Sequence, residues 1–439
     1  MQERAPPVDQ PGVNRAASSL AGCDEEVGTA NHLGSDATTT MTTTMRSPNQ
    51  TSWRTAPDVI YLSLFSILGY TLRVYVGRFF GGDCESNATG LDSIIHDFLW
   101  PISSRVCVTS NGRSMQHGGA LFIDMPANML GCLIMGYFVG YPSKDRDDYP
   151  DWLALPCLSH GHSLQLDGSL HLGIKTGLCG SLTTYSSWNT QMVLMMDGTA
   201  NPYLGSQIFA SLFGYVLGYQ ASSVSYRVGR TLGTWSSPDK RGNPHVLDIA
   251  PTSSCERKFR SRCHHDHHLR WITPMLLFVI VGTLIGLYVA GDAYWGIPYY
   301  RELWIGSLFA PTGTLLRYRL SALNSRLGIR GEYWFPAGTL LANLLGCIIS
   351  AAITAWIIAR SSTDEEGGAQ QSWMIQILNA ISLGVAGCLS TVSTYVKECV
   401  ELGEKYPPYD KKQFVYSHGT VLCCCLFGLM VYSPIVRFA

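Results

Sequence analysis

Residues 177–188 read GLCGSLTTYSSW, and residues 384–395 read GVAGCLSTVSTY. The same phrase stands twice, each time inside an apolar stretch. Two glycines three apart, then a run of hydroxylated and β-branched residues, make it a poor helix. A backbone that leaves the helix inside lipid frees N–H and C=O groups that hydrocarbon cannot satisfy, so each break must face protein, water or an ion. Two breaks in one chain point to a membrane protein built from two related halves whose breaks meet.

The rest of the sequence agrees. Of 439 residues, 46% are hydrophobic and 14% charged, against roughly 25% charged in an ordinary soluble domain. The net charge of -1 offers no footprint for nucleic acid. Residues 1–52 are polar and rich in Ser, Thr and Pro, and read as a disordered cytoplasmic tail without a signal peptide. Beyond them, apolar windows fall at 58–79, 119–140, 170–194, 203–223, 271–290, 302–321, 335–359, 374–400 and 414–434. Each has about the 20 residues that a spanning helix takes. The expectation is an all-α membrane protein with nine transmembrane helices. It has a first four-helix repeat (58–223), a basic cytoplasmic loop (224–270), a linker helix (271–290) and a second four-helix repeat (302–434).

Charge sets the orientation. Lys and Arg crowd the segment after the fourth window, from Arg227 to Arg270, and recur at Arg326, Arg330, Lys405, Lys411 and Lys412. The acidic Asp364-Glu365-Glu366 falls on the opposite side. The positive-inside rule then places the N-terminus in the cytoplasm and the C-terminus outside, and the plasma membrane is the expected location. Cys84 and Cys107 share an expected outer loop with the sequon at Asn87 and can pair there. Cys263-His264-His265-Asp266-His267-His268 reads as a solvated loop, and the remaining cysteines as buried hydrophobes.

The halves match at three ordered landmarks. Gly69…Arg73 parallels Gly313…Arg317, Asn128…Gly131-Cys132 parallels Asn343…Gly346-Cys347, and the opening phrase follows. Four spans return a chain to its starting side, so the lone fifth helix turns the second half over. This is an inverted repeat, whose sites are expected near the bilayer midplane at discontinuous helices. Arg73 and Arg317 read as helix-end anchors or vestibule residues, and the spans otherwise hold almost no central cations.

These motifs resemble those of the small bacterial fluoride channels: G-x-x-R-Y, then F-P-x-G-T-L-x-x-N-x-x-G, then G-G-x-T-T-F-S-T-F-x-x-E. They stand here as Gly313…Arg317-Tyr318, Phe335-Pro336…Asn343…Gly346, and Gly387…Tyr395…Glu398. The double length resembles the eukaryotic fluoride exporters. The resemblance implies a passive fluoride channel and not an enzyme, working as a monomer with an internal pseudo-dimer. It implies a structural sodium ion held by the carbonyls of Gly180, Thr183, Gly387 and Ser390. It implies an ion pathway through Asn128, Asn343, Tyr185, Tyr395, Thr339, Glu398, Tyr416 and Thr420. Donor groups and ring edges suit a small, tightly hydrated anion.

Departures from the family pattern matter. Val392 takes an aromatic position, Gln191 stands opposite Glu398, and Asp124 stands where Thr339 does in the other half. In the family each pore takes one aromatic from each half, so the resemblance implies that Tyr185 with Tyr395 makes the working pore, and Trp188 with Val392 an impaired one. The alternatives are a small proton-coupled exporter, which needs a membrane carboxylate, and a non-conducting membrane sensor. A protease-cleavable tag after Ala439 should be cut from outside intact cells; full protection overturns the orientation.

Overall fold

The interrupted phrases are interrupted in space. The computed structural model describes residues 56–81, 121–140, 164, 167–197, 204–236, 267–296, 298–324, 334–363, 369–406 and 410–438, all within the unit Gln50–Ala439. Regular structure among them is helical: α1 (Ala56–Gly81), α2 (Met125–Gly140) and α3, which runs through Gly168–Leu172, a π-helical stretch Gly173–Cys179 and a final turn Gly180–Leu182. Then come α4 (Tyr185–Asp197), α5 (Leu204–Ser236), α6 (His267–Trp295), α7 (Pro298–Ser321) and α8 (Ala337–Thr363). α9 repeats the construction of α3, with Ala369–Ile381, a π-helical Ser382–Ala386 and a final turn Gly387–Leu389. α10 (Ser393–Lys405) and α11 (Lys412–Phe438) complete the chain.

Among the described residues, five stretches are long and apolar enough to cross a membrane: Ala56–Phe80, Ile272–Tyr294, Ala337–Arg360, Trp373–Lys405 and Lys412–Phe438. α2 is apolar but shorter. Large apolar side chains point outward where a soluble protein would place charge, as at Phe278 on α6 (64% exposed), Phe209 on α5 (75%) and Met430 on α11 (69%). Such a surface needs an apolar solvent. The chain is an all-helical, multi-pass membrane protein.

Helix bounds differ from the windows where local chemistry intervenes. α2 starts at Met125, not 119, because Pro126 suits only the first turn of a helix. α5 runs to Ser236, into the stretch expected to be basic loop, and α6 begins within that loop's far end. Close packing on α2 explains the extension. A β-carbon on Gly136 would strike the Tyr226 carbonyl, and one on Gly229 the Leu133 carbonyl. Cys84, Asn87 and Cys107, the tail 1–52 and most of the basic loop lie outside the described residues.

Gly136→Val should lower thermal stability in detergent by about 1–3 kcal/mol, the cost of overpacking a tight contact. Gly286→Ala, on an open face of α6, should leave the melting temperature unchanged. Equal melting curves for the two variants would contradict the close α2–α5 packing.

Candidate ion pathway at two broken helices

At Thr183 the backbone turns extended (φ -95, ψ 145), and at Ser390 it does the same (φ -82, ψ 153). Each break leaves the first N–H groups of the following half-helix without partners in their own chain segment. The two halves supply each other. Ser390 Oγ accepts from Tyr185 N–H (3.2 Å) and Ser186 N–H (2.9 Å). Thr183 Oγ1 accepts from Val392 N–H (3.3 Å) and Ser393 N–H (3.2 Å). Each hydroxyl is an N-cap for the other half's helix.

The paired asparagines close the breaks from a second side. Asn128 Oδ1 accepts from Thr184 N–H (2.7 Å) and its Nδ2 donates to Thr184 O (3.0 Å). Asn343 grips the peptide groups of Thr391 in the same way, at 2.7 and 3.2 Å. Both side chains are fully buried. The carboxamides expected along the pathway therefore hold the backbone of the breaks, and each keeps a second amide hydrogen.

The paired arginines are not helix-end anchors. Arg73 and Arg317 are 1% and 4% exposed. Arg73 donates to Ser181 O (3.1 Å) and Leu383 O (2.5 Å), one carbonyl from each half. Arg317 donates to Gly180 O (2.8 Å), Thr176 O (2.6 Å) and Ser390 O (3.3 Å). The expectation of spans nearly free of central cations is corrected here: two guanidiniums sit at the junction because its carbonyls need donors. Of the four carbonyls expected to hold sodium, those of Gly180 and Ser390 already accept from Arg317, and the Arg73 guanidinium lies close beside Gly387. As arranged, this set does not fit a bare cation.

Beside the junction lies a column of rings. Tyr185 and Tyr395 meet edge to face across the halves, with centroids 5.4 Å apart and planes at 80°. Tyr395 also meets Tyr219 and Tyr416, and Tyr416 meets Phe335. Tyr395 donates to Ser417 O (2.8 Å). Tyr185 is fully buried, and its hydroxyl has no hydrogen-bond partner among the described residues. Trp188 also meets Tyr185 edge to face (5.1 Å, 62°), and it stacks on Phe122 (5.7 Å, 17°) and donates from Nε1 to Gly214 O. Val392 is buried in the same cluster and brings no ring.

Glu398 anchors the far end of the column. Tyr416 Oη donates to its Oε2 (2.6 Å), and Thr339 Oγ1 (2.7 Å) and Asn324 Nδ2 (3.1 Å) donate to its Oε1. Thr420 turns its hydroxyl back to Tyr416 O on its own helix (2.7 Å). Thus Tyr185, Tyr395, Tyr416, Glu398 and Thr339 come together, while Thr420 and both asparagines serve the backbone. Tyr215, Tyr219 and Asn324 were not foreseen. Tyr215 stacks against Trp188 and donates to Asn189 Oδ1 (2.8 Å). Tyrosines four apart on one helix, Tyr215 and Tyr219, are the signal that could have revealed both.

A helical membrane protein with two broken helices cross-capped at its centre, and a buried aromatic column beside them, is an architecture for moving a small solute. A family model described as "CrcB-like protein, Camphor Resistance (CrcB)" matches residues 60–219 and 304–432, and the chain belongs to this family. It is 24% identical over 368 residues to Fluoride export protein 1 of Candida albicans, covering 77% of each chain. It is 24% identical over 379 residues to the Neurospora crassa protein of the same name, covering 79% of this chain and 62% of that one. A Fluoride-specific ion channel FluC 1 of Staphylococcus aureus is 32% identical over 119 residues, covering 27% of this chain and 80% of its own. No solved structure matches. The family is one of transport proteins by these names, not of enzymes.

Thr183→Val and Ser390→Ala each remove one cross-cap and should each cost about 1 kcal/mol of stability. Thr183→Ser should keep it. Thermal unfolding of the purified variants decides, and a Thr183→Val protein as stable as Thr183→Ser would deny the cap.

Proposed function

We propose that the chain is a fluoride channel that lets the cytoplasmic anion leave passively and so confers fluoride resistance. In this reading nine spans form two inverted four-helix repeats, with α6 as the linker, in the plasma membrane with the N-terminus inside. The observation that carries it is the buried Tyr185 hydroxyl, without a hydrogen-bond partner among the described residues, where the rings of the two halves cross. A buried donor left open needs an explanation, and a passing anion supplies one. Ring edges line the approach with partial positive charge. The relatives' names supply the ion. A membrane negative inside drives an anion outward by about 2.3 kcal/mol per 100 mV, so no energy source is needed.

One pore conducts in this reading. Tyr185, Tyr395, Tyr416 and Glu398 line it, while the second pore pairs Trp188, packed by Phe122 and Tyr215, with Val392. The mixed contributions of the two halves make a monomer sufficient. Hydrogen bonds from Tyr416, Thr339 and Asn324 hold the Glu398 carboxyl oxygens as acceptors.

Glu398 also favours a second reading, because a proton-coupled exporter needs a buried membrane carboxylate. Liposomes loaded with fluoride separate the two. The channel gives rapid efflux that valinomycin accelerates and that needs no proton gradient. Efflux that requires a pH gradient means an exporter, and none at all means a sensor. Tyr395→Ala and Asn343→Ala should slow efflux by about tenfold or more, the equivalent of about 1.4 kcal/mol of barrier. Trp188→Ala should change it much less, and equal losses would remove the one-pore assignment.

A further inference from the structure

Any junction of two broken helices inside a membrane must satisfy inward-facing carbonyls. The last carbonyls of a helix carry partial negative charge and call for a cation or donor. Here two guanidiniums already stand among them. Arg317 joins Gly180 O and Thr176 O of α3 to Ser390 O at the end of α9. Arg73 joins Ser181 O of α3 to Leu383 O of α9. Each arginine therefore ties the two halves together, and each comes from the equivalent helix of a different half. Neither forms a salt bridge with a carboxylate among the described residues; backbone oxygens take their hydrogen bonds, and the buried Asp124 carboxylate attracts Arg73 only at longer range.

We infer that Arg73 and Arg317 are the junction's resident cations, holding the two breaks together without a metal ion. A sodium ion at the carbonyls of Gly180 and Ser390 would have to displace Arg317 Nη1, which bonds both. It would then face two fixed positive charges, together with the positive N-terminal ends of α4 and α10. The fork of a guanidinium reaches several carbonyls at once, whereas a lysine presents a single point charge. The glycines confirm that the space belongs to the arginines: a β-carbon on Gly180 would strike Arg317 Nη2, and one on Gly387 would strike Arg73 Nη2. The serine and threonine hydroxyls nearby are also engaged. Ser181 Oγ pairs with Thr314 Oγ1 at 2.8 Å, and Thr183 Oγ1 with Thr391 Oγ1 at 3.1 Å.

The inference holds whatever ion the pathway carries, so it is tested first without transport. The purified full-length protein is unfolded thermally in sodium chloride and in N-methyl-D-glucamine chloride of equal ionic strength. The melting temperature should agree within about 1 °C, because an ion bound only to the folded state would raise it by mass action. A rise of several degrees in sodium, or a sodium ion retained by each chain after desalting, overturns the inference. Arg317→Gln should melt several degrees lower than the wild type in both salts, with Arg317→Lys between them. An Arg317→Gln protein as stable as wild type also overturns it, and if that variant does not fold, the wild-type salt comparison decides. Fluoride efflux from liposomes should run at the same rate with and without sodium. Absence of efflux in both salts removes the channel reading and leaves the thermal result standing.

Discussion

Backbone that leaves a helix in hydrocarbon must find its hydrogen bonds within the protein, and the core of this structure depends on how two such breaks answer that constraint. Neither can answer alone. The free N–H groups of α4 are met by Ser390, and those that open α10 by Thr183. A side chain in one half completes the secondary structure of the other. The halves are thereby joined at their least stable points, and an unpaired buried peptide group costs about 1–3 kcal/mol, so separating them would expose several such penalties at once.

That constraint also sets the aromatic column. Tyr185 opens α4 and Tyr395 lies within the first turn of α10. Both rings follow directly from capped N-termini, so the caps fix where the rings stand and how they cross. The edge-to-face contact of Tyr185 with Tyr395 is a consequence of the cross-capping, not an independent piece of packing. The Tyr185 hydroxyl, without a hydrogen-bond partner among the described residues, is thereby held where the rings of the two halves cross.

The breaks, the paired asparagines and the tyrosine pair were all legible in the sequence. Poor helix formers in an apolar window have one physical meaning, and repetition at matched positions picked out the asparagines, which were expected along the pathway and instead hold the backbone of the breaks. The caps were not legible, because a hydroxyl and its partner N–H in the other half leave no spacing signal. The arginines were visible as a repeated pair but misjudged. An arginine near the end of an apolar window usually reaches for the interface, and nothing in the spacing shows that backbone carbonyls wait inside. The ends of α5 were hidden as well, since Gly136 and Gly229 acquire meaning only once α2 lies against α5.

Comparing the halves separates two sets of residues. Those that build the junction occur in both: Gly69 with Gly313, Arg73 with Arg317, Asn128 with Asn343, and a hydroxyl at Thr183 and Ser390. Those beside the pathway differ: Tyr185 against Val392, Trp188 against Tyr395, Asp124 against Thr339, and Gln191 against Glu398. Two identical subunits could not diverge in this way, because each substitution would appear beside both breaks. A single chain holding both halves can change the surroundings of one break while the hydrogen bonds of the junction are kept. The asymmetry is therefore permitted by the covalent link and limited by the breaks, which need both halves to supply the same polar groups.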